Sequence, residues 1–421
     1  MASNASAPFD LPPLPAYTLT PRPPLLPPIP DNILALILPV VAYWSVSMIF
    51  YYIDTKDLFP QYRLHTPAEL LKRNHVSRRD VVRDVILQHI IQTIAGLVVA
   101  YFDSTEYTGK EEYDVAVWAR RIRISQKALP GLLSVVGVDA MGLAKKLAHN
   151  GFVTLGGVLA GGYYPSAVQK VALDNGVETL VPAFADWELT VASFIYWYFI
   201  PALQFTWGVL VVDTWQYFLH RAMHQNRWLY ATFHSRHHRL YVPYAFGALY
   251  NHPFEGFLLD TAGTGVAFLT SMMTNRQSMW FFTMSTIKTV DDHCGYAFPW
   301  DPLQKITSNN AAYHDIHHQS WGIKTNFAQP FFTFWDKLLD TNWKGGDVKL
   351  RYARARDAAQ KKLDEDAPTA ANTNGVTTNG KSTATESSNF NGNTKPQKTT
   401  TALPENVPTP KNLVTNGATK A

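Results

Sequence analysis

Two long apolar segments constrain the fold of this 421-residue chain more than any other feature. Ile33–Ile53 is a run of 21 residues without a charge, and Leu189–Val212 is uncharged until Asp213. A helix rises 1.5 Å per residue, so about 20 residues cross the roughly 30 Å hydrocarbon layer of a bilayer. Inside that layer, only helices and closed barrels satisfy every backbone hydrogen bond. Because the segments have helical rather than strand length, the chain is predicted to be a helical integral membrane protein.

Weaker apolar segments complete the predicted bundle. Val85–Phe102 is a second span near the minimum length, and Phe254–Met273 with Ser278–Val290 resembles a helical hairpin that enters the bilayer and returns. We therefore expect an all-α integral membrane protein with a bundle of about four to six transmembrane or re-entrant helices. A cytosolic, histidine-rich helical cap is expected to complete it.

The predicted orientation comes from basic residues. Cytoplasmic loops are enriched in Lys and Arg. The loop between the first two spans carries six such residues, Lys56, Arg63, Lys72, Arg73, Arg78 and Arg79. This loop is therefore predicted to be cytosolic and the N-terminus lumenal. The region 103–186 is also basic, and strict alternation of spans would place it on the opposite side, so that conflict stays open.

The chain divides into five predicted segments. These are a Pro-rich N-terminal segment (1–32), two membrane helices with their basic loop (33–102), an interfacial or soluble insertion with one or two amphipathic helices (103–186), a histidine-rich catalytic domain (187–350) and a disordered tail (367–421). The tail is rich in Thr, Asn, Ser, Gly and Lys, and it cannot bury enough apolar surface to offset the entropy of ordering.

Composition excludes several classes of protein. Charged residues make up 17% of the chain, against about 25% in a typical soluble protein. The net charge is only +4, and no basic run is interleaved with aromatic residues, which argues against nucleic-acid binding. The single cysteine, Cys294, excludes an intrachain disulfide and a Cys-based zinc or iron–sulfur site.

Histidine is concentrated in one part of the chain. Ten of the 14 histidines lie between His220 and His318. They include the patterns H-x-x-x-H at His220 and H-x-x-H-H at both His234 and His314. On a helix, residues i, i+3 and i+4 project from one face, so each box presents several imidazoles in one direction. The predicted metal ligands are His220, His224, His234, His237, His238, His252, His293, His314, His317 and His318.

The number of histidines points to two metal ions, because ten imidazoles exceed what one ion can hold. Iron or zinc suits such a site, and iron is favoured if the reaction activates oxygen, because zinc has no redox chemistry. Metal-bound histidines commonly donate their second N–H to a carboxylate or a carbonyl. Candidates for that role are Asp213, Glu255 and Asp315. For Asp213 an interfacial helix-end charge is an equal alternative, and His252 and His293 could instead be packing residues or partners of a ligand.

The three boxes together resemble the fatty acid hydroxylase superfamily of membrane di-iron oxygenases. The resemblance covers about residues 190–345, including the motifs Asn251-His252-Pro253-Phe254-Glu255, His293-Cys294-Gly295-Tyr296 and Trp321-Gly322. The Pro-rich N-terminus, the early spans and the segment from Asp213 to His238 are most similar to fungal sphingolipid C4-hydroxylases.

This resemblance implies a specific reaction. Such enzymes hydroxylate sphinganine or dihydroceramide at C4 to give phytosphingosine-type bases. It also implies an endoplasmic reticulum membrane, two non-haem iron ions, O2, and electrons from NADPH or NADH through cytochrome b5 and its reductase. The sequence contains no His-Pro-Gly-Gly haem motif, so the electron carrier is expected to be a separate protein. No substrate-binding residue is identified from the sequence.

Other functions stay open. A sterol C4-methyl oxidase or C5-desaturase of the same superfamily would share the metal site and differ in its pocket. A zinc-dependent membrane hydrolase or a metal transporter is a more remote alternative. The chain has no H-E-x-x-H motif, and its histidines cluster at span ends rather than along a transmembrane path.

Overall fold

The computed structural model describes residues 11–172 and 178–366, so the predicted tail at 367–421 lies outside the described residues. The described chain is mostly helical, as predicted. Its α-helices are Asp31–Lys56, Pro67–Arg73, Arg78–Phe102, Glu111–Gln126, Leu129–Val135, Ala140–His149, Val153–Leu159, Asp186–Phe194, Ile200–Gln225, Arg227–Thr232, Pro253–Gly256, Gly263–Ser271, Asn275–Asp292, Pro302–Ile306, Ala311–His318, Phe334–Leu338 and Val348–Asp366. Shorter helical turns are 3-10 at Pro60–Tyr62, His234–Arg239 and Ala245–Leu249, and π at Ile195–Phe199 and Phe257–Ala262.

Three helices of the described chain are long and apolar enough to cross a membrane. They are the first span, Asp31–Lys56, the second span, Arg78–Phe102, and the third span, Asp186–Gln225. Helices Glu111–Val135 and Ala140–His149 form a further candidate, bent by 115°, if they are taken together. The described chain thus has three or four candidate spans, against a predicted bundle of four to six.

The predicted hairpin at 254–290 is helical, but its helices are not among those candidate spans. Its second helix, Asn275–Asp292, has 18 residues and carries Arg276, Lys288, Asp291 and Asp292. These charges lower its mean hydropathy below that of a lipid-facing span.

The all-α prediction is incomplete, because two small antiparallel ladders are present in the described chain. Thr20–Pro21 pairs with Tyr107–Thr108, and Val168–Ala172 pairs with Glu178–Pro182. The second ladder lies in the region expected to form amphipathic helices. Its strand residues alternate between exposed and half-buried positions, the period of two that favours a strand.

The chain forms two compact units. Of the described residues, the first contains those up to Ala35, those within Leu97–Leu210 and those of Ala267–Phe281. The second contains Leu36–Gly96, Val211–Val266 and the described residues from Phe282 to Asp366.

A buried ion pair anchors the first unit. The Arg123 guanidinium donates to the carboxylate of Glu188 across 2.6 Å, and the Gln126 amide donates to the same carboxylate across 2.7 Å. The pair ties helix Glu111–Gln126 to the start of the third span.

An aromatic-rich core occupies the second unit. Tyr43 and Val85 of the first two spans pack with Tyr250, Val290 and Tyr296. The Tyr43 hydroxyl is buried and donates to the Phe246 carbonyl across 2.7 Å. All ten predicted ligands belong to this unit, so the aromatic-rich core supports the histidine site.

Candidate metal centre

The first histidine box lies at the end of the third span. Helix Ile200–Gln225 continues without interruption through the box, so His220 and His224 are one helical turn apart and face the same direction. Their Nε2 atoms are 3.2 Å apart. This arrangement agrees with the prediction that the box directly follows a membrane segment.

The other two boxes differ from each other in backbone conformation. His234–Arg239 is a 3-10 helix, whereas Ala311–His318 is an α-helix whose first turn is capped by the Asn310 side chain. The expectation of an α-helical face for every box therefore holds for the first and third boxes but not for the second. Gly322 follows the third box, and a Cβ there would lie 2.0 Å from the Ile316 carbonyl oxygen. Glycine is thus the residue that allows the chain to turn back closely over this box.

Nine of the ten predicted ligands converge into two groups in the described part of the chain. We call them the five-histidine group (His220, His224, His234, His238 and His317) and the four-histidine group (His237, His293, His314 and His318). The ligand atoms within each group all lie within 4.8 Å of one another. The structure thus contains two sets of donor atoms, one for each of the two expected ions.

Each H-x-x-H-H box serves both groups. His234 and His238 enter the five-histidine group, while His237 between them enters the four-histidine group. The third box does the reverse, because His314 and His318 enter the four-histidine group and His317 the five-histidine group. Neighbouring side chains on a helical turn point in different directions, so two adjacent histidines can reach two different sites.

The distances between the ring nitrogens match the spacing of ligands around one metal ion. In the five-histidine group the Nε2 atom of His234 lies 3.1 Å from that of His220 and 3.0 Å from that of His238. In the four-histidine group, the Nε2 atom of His314 lies 3.1 Å from that of His293. Ligands about 2.1 Å from one ion and at right angles to each other would be about 3.0 Å apart.

Hydrogen bonds on the opposite ring edge determine the tautomers. A carbonyl oxygen accepts from the Nδ1–H of five of the nine histidines: His220 (from Phe327, 2.8 Å), His237 (Tyr250, 3.1 Å), His293 (Thr289, 2.8 Å), His317 (Thr325, 2.7 Å) and His318 (Leu240, 2.8 Å). In a neutral ring whose Nδ1 carries the proton, Nε2 has a free lone pair. Converging lone pairs repel each other unless a cation lies between them, and this observation fits a metal ion at each group.

Burial keeps these rings neutral. Burial lowers the pKa of His234 to about 3 and that of His237 to about 4. Burial and the neighbouring histidines lower the pKa of His314, His317 and His318 well below the ordinary value. At neutral pH the rings are therefore uncharged, which is the form that binds metal.

His252 is the one predicted ligand that lies in neither group. Its Nδ1 accepts from the Phe254 backbone N–H across 3.2 Å, so its side chain caps helix Pro253–Gly256. Its ring packs edge-on against Phe233, with the centroids 5.1 Å apart. These contacts account for the histidine without a metal.

The three predicted carboxylate partners have different contacts. Glu255 bonds Nδ1 of His234 through a short buried contact, as expected for a residue that orients a ligand. The carboxylate of Asp213 accepts from the backbone N–H groups of Phe331 and Phe332 at 3.0 and 2.9 Å. Asp315 bonds His65 at 2.8 Å and also accepts from the Tyr352 hydroxyl. Only Glu255 therefore contacts a ligand ring through its carboxylate in the described structure.

His65 has a structural role that its isolated position in the sequence does not reveal. The buried ring lies between Asp315 and Glu69, at 2.8 and 3.0 Å. Burial disfavours the charged ring, but the two carboxylates outweigh this and raise the pKa of His65 to about 9. A charged imidazolium thus links the basic loop to the third histidine box.

A polar cavity adjoins both histidine groups. Its lining includes His234 and three members of the four-histidine group, together with Gln216, Asn251, Asp260 and Asp292. Sequence reasoning did not single out Gln216, Asn251 or Asp260. A signal was present for Asp260, because it and Glu255 are the two carboxylates of the otherwise apolar segment Phe254–Met273, and such residues commonly have functional roles.

Comparisons with known proteins agree with this site. Residues 205–341 match the fatty acid hydroxylase family model. The chain is 46% identical to the sphingolipid C4-hydroxylase of Saccharomyces cerevisiae, over 79% of this chain and 77% of the relative. It is 40% identical to the sphingolipid C4-hydroxylase of Schizosaccharomyces pombe, over 73% and 87% of the two chains. It is 36% identical to sphinganine C4-monooxygenase 1 of Arabidopsis thaliana, over 74% and 87%.

No solved structure matches the chain. The family assignment therefore depends on sequence similarity across most of the chain together with the convergence of the histidine boxes. Proteins that share this identity over this much of both chains belong to one family. This protein belongs to the fatty acid hydroxylase family.

Proposed function

We propose that this protein hydroxylates C4 of sphinganine or dihydroceramide and so forms phytosphingosine-type bases. The observation that carries the proposal is the pair of histidine groups, on a chain whose relatives over most of both sequences are sphingolipid C4-hydroxylases and sphinganine C4-monooxygenases. We further propose that the protein works in the endoplasmic reticulum membrane with its active site facing the cytosol. The basic loop between the first two spans supports that orientation.

Two iron ions are the proposed cofactors. The five-histidine group would hold one ion and the four-histidine group the other. When bound, iron would supply the activation of O2 that attack on an unactivated C–H bond requires. Imidazole ligands suit iron as well as zinc, and the need for redox chemistry favours iron.

The residues of the chain prepare the site in three ways. Burial keeps the imidazoles uncharged, so that their nitrogens are free to bind a cation. Backbone carbonyls and Glu255 accept from the opposite ring edge and hold each ring in one orientation. The dense packing around His220, His234, His314 and His317, each no more than 2% exposed, excludes water from the reacting carbon.

Electrons are proposed to come from NADPH or NADH through cytochrome b5 and its reductase. The support is the similarity to sphingolipid C4-hydroxylases together with the demand of an oxygenase for two electrons. Cytochrome b5 would dock to the cytosolic surface of the protein.

The test is a sphingoid-base profile by mass spectrometry in cells that lack the gene. We expect the wild-type chain to restore 4-hydroxylated bases, and His234→Ala and His317→Ala to reduce product at least about 100-fold, because each removes a metal ligand. His149→Ala is the matched control, since this histidine is exposed and distant in sequence from the boxes. Wild-type turnover in both ligand variants would contradict the metal-site assignment.

The same experiment addresses the alternatives. If the wild-type chain alters methylated or desaturated sterols and leaves long-chain bases unchanged, the sterol oxidase or desaturase hypothesis replaces the sphingolipid proposal. If neither lipid class changes, the zinc hydrolase and metal transporter hypotheses are next to be tested.

A further inference from the structure

The polar cavity beside the two histidine groups is rich in carboxyl groups. Its lining contains the carboxylates of Glu255, Asp260 and Asp292 and no lysine or arginine. We propose that Asp260 binds the amino group of the long-chain base and thereby places the neighbouring C4 carbon at the metal centre. This inference rests on the proposed function and identifies the free base as the preferred substrate.

The chemistry of the substrate requires such an anchor. A sphinganine-type base carries an amine on C2 and hydroxyls on C1 and C3, so the nitrogen is only three bonds from C4. The polar head must therefore lie close to the metals when C4 does. A residue that holds the head must line the same cavity as the metal ligands, and Asp260 does so beside His234, His237 and His314.

Asp260 differs from the other two carboxylates of the cavity in its partners. Glu255 is engaged by His234, and Asp292 is engaged by the buried ammonium of Lys288. Among the described residues, the carboxylate of Asp260 accepts only from the side-chain amides of Gln216 and Asn251, each across 3.3 Å. No ion pair reaches it from the residues that the structure describes.

These partners leave Asp260 suited to receive a cation. A carboxylate can accept about four hydrogen bonds, and the two long amide bonds occupy only part of that capacity. Burial of an unpaired charge is unfavourable, so an incoming ammonium gains a charge-assisted hydrogen bond at a site that lacks a competing cation. The amides of Gln216 and Asn251 hold the carboxylate toward the cavity without neutralising it.

The backbone at this position also departs from regular helix. Asp260 lies in the π-helical segment Phe257–Ala262, which interrupts the helical run that begins at Pro253. Single π turns within helices occur frequently at functional sites, because they redirect a side chain that a regular helix would place elsewhere. This local irregularity is a second observation that supports a binding role for Asp260.

A different role has to be separated from this one. Asn251 also hydrogen-bonds His237, so Asp260 could act through Asn251 to orient a metal ligand. An orienting residue would affect metal content and every substrate alike. An amine-binding residue would affect substrates according to the charge on their nitrogen.

The test uses the purified full-length protein in detergent micelles with sphinganine and N-acetylsphinganine as probes, and the turnover measurements add NADPH, cytochrome b5 and cytochrome b5 reductase. Acylation removes the positive charge from the nitrogen and leaves both hydroxyls in place. For Asp260→Asn we expect the Kd and the KM for sphinganine to rise about 10-fold to 100-fold, the range of a lost charge-assisted hydrogen bond. Those for N-acetylsphinganine should change less than about 3-fold, and the bound metal content should stay at the wild-type value.

Asp291→Asn is the matched control, because it removes a neighbouring carboxylate that does not line the cavity. Equal affinity of the variant and the wild type for sphinganine would overturn the inference. An equal loss for both probes, or a loss of metal, would overturn it as well and indicate a positioning role. If wild type forms no 4-hydroxylated base from either probe, the proposed function fails instead.

A second measurement needs no variant and covers the case in which Asp260→Asn does not fold. An analogue of sphinganine with a hydroxyl in place of the C2 amine should bind wild type about 10-fold or more weakly than sphinganine. Equal binding of the analogue would overturn the assignment of Asp260.

Discussion

At the scale of single residues, hydrogen bonds distinguish the histidines of the two groups, which are the proposed metal ligands, from His252. Ligand rings such as those of His220 and His317 donate Nδ1–H to a carbonyl and turn Nε2 toward other ring nitrogens. His252 instead uses Nδ1 to accept a backbone N–H and cap a short helix. Both kinds of histidine occur in conspicuous motifs, and the direction of the ring nitrogens separates them.

This difference predicts contrasting effects of two neighbouring substitutions. Glu255→Gln should lower metal affinity about 10-fold to 100-fold, because it removes the carboxylate that orients His234. His252→Ala should keep metal bound and cost about 1 kcal/mol of stability through loss of the cap. Metal content by mass spectrometry and thermal unfolding check both expectations. Loss of metal in His252→Ala with retention in Glu255→Gln would contradict the site described above.

At the scale of elements, the loop that follows the third box orients rings of the five-histidine group. Its carbonyls at Thr325 and Phe327 accept from ligands that belong to two different boxes. Two buried carboxylates hold this loop from outside. Asp336 accepts from the backbone N–H groups of Phe327 and Ala328, at 3.0 and 2.8 Å, and Asp213 binds the loop further along. The role of Asp213 is therefore to hold the loop that carries a ligand partner.

Asp336→Asn should accordingly lower metal binding indirectly, through the loop that Asp336 holds in place. The fully buried carboxylate also accepts from the hydroxyls of Tyr313 and Thr341, and an amide cannot accept all of these bonds. We expect a loss of about 2–4 kcal/mol in stability and a reduced metal content. Asp340→Asn is the control, since Asp340 is exposed and pairs only with Lys344 among the described residues. An unchanged melting temperature and metal content in Asp336→Asn would refute this account.

At the scale of the whole molecule, a buried ionic cluster joins distant parts of the second unit. His65 and Asp315 are 250 positions apart in the sequence. Helix Pro67–Arg73 carries Glu69, and its capping box with Thr66 fixes the start of the helix next to His65. Arg73 bonds both Glu69 and Gln319, so the cluster extends from the basic loop to the residue after the third box.

This cluster predicts a dependence of stability on pH. The groups that face His65 are Glu69, Asp315, Gln319 and Tyr352. The raised pKa of His65, about 9, means that its contribution is complete below about pH 6.5 and is lost as pH rises through about 9. Burial raises the pKa of Glu69, but the contacts with His65 and Arg73 outweigh burial and lower this pKa to about 2. Its contribution is therefore present above about pH 4.5 and is lost only as pH falls toward 2.

Thermal unfolding of the detergent-solubilised protein between pH 7 and pH 10 checks the alkaline limb. Wild type should lose about 2.5 kcal/mol of stability over this range, and His65→Gln should start less stable and lose less. His149→Gln should follow the wild-type curve, because this ring is exposed. Parallel pH curves for wild type and His65→Gln would contradict the assignment of a charged His65.

Much of the fold and of the site could be predicted from the sequence. The charge-free lengths of the first and third spans predicted membrane helices, because crossing a bilayer depends on local length and hydropathy. The spacing within the three boxes predicted eight of the nine histidines that the structure brings together, and His293 was predicted from its position after the hairpin. The strand ladder at 168–182 was missed, since its short, weakly alternating residues read equally well as amphipathic helix.

The sequence by itself therefore determined the membrane class, the family and which histidines could bind metal, because helical periodicity and apolar length are properties of contiguous residues. Only the tertiary structure decided which group each histidine enters, that His252 caps a helix, and that Asp260 lines a cavity beside the ligands. It also assigned Asp213 to a loop rather than to a ligand ring. These outcomes depend on how segments far apart in the chain pack together, and no local pattern encodes the direction in which a side chain meets a distant partner.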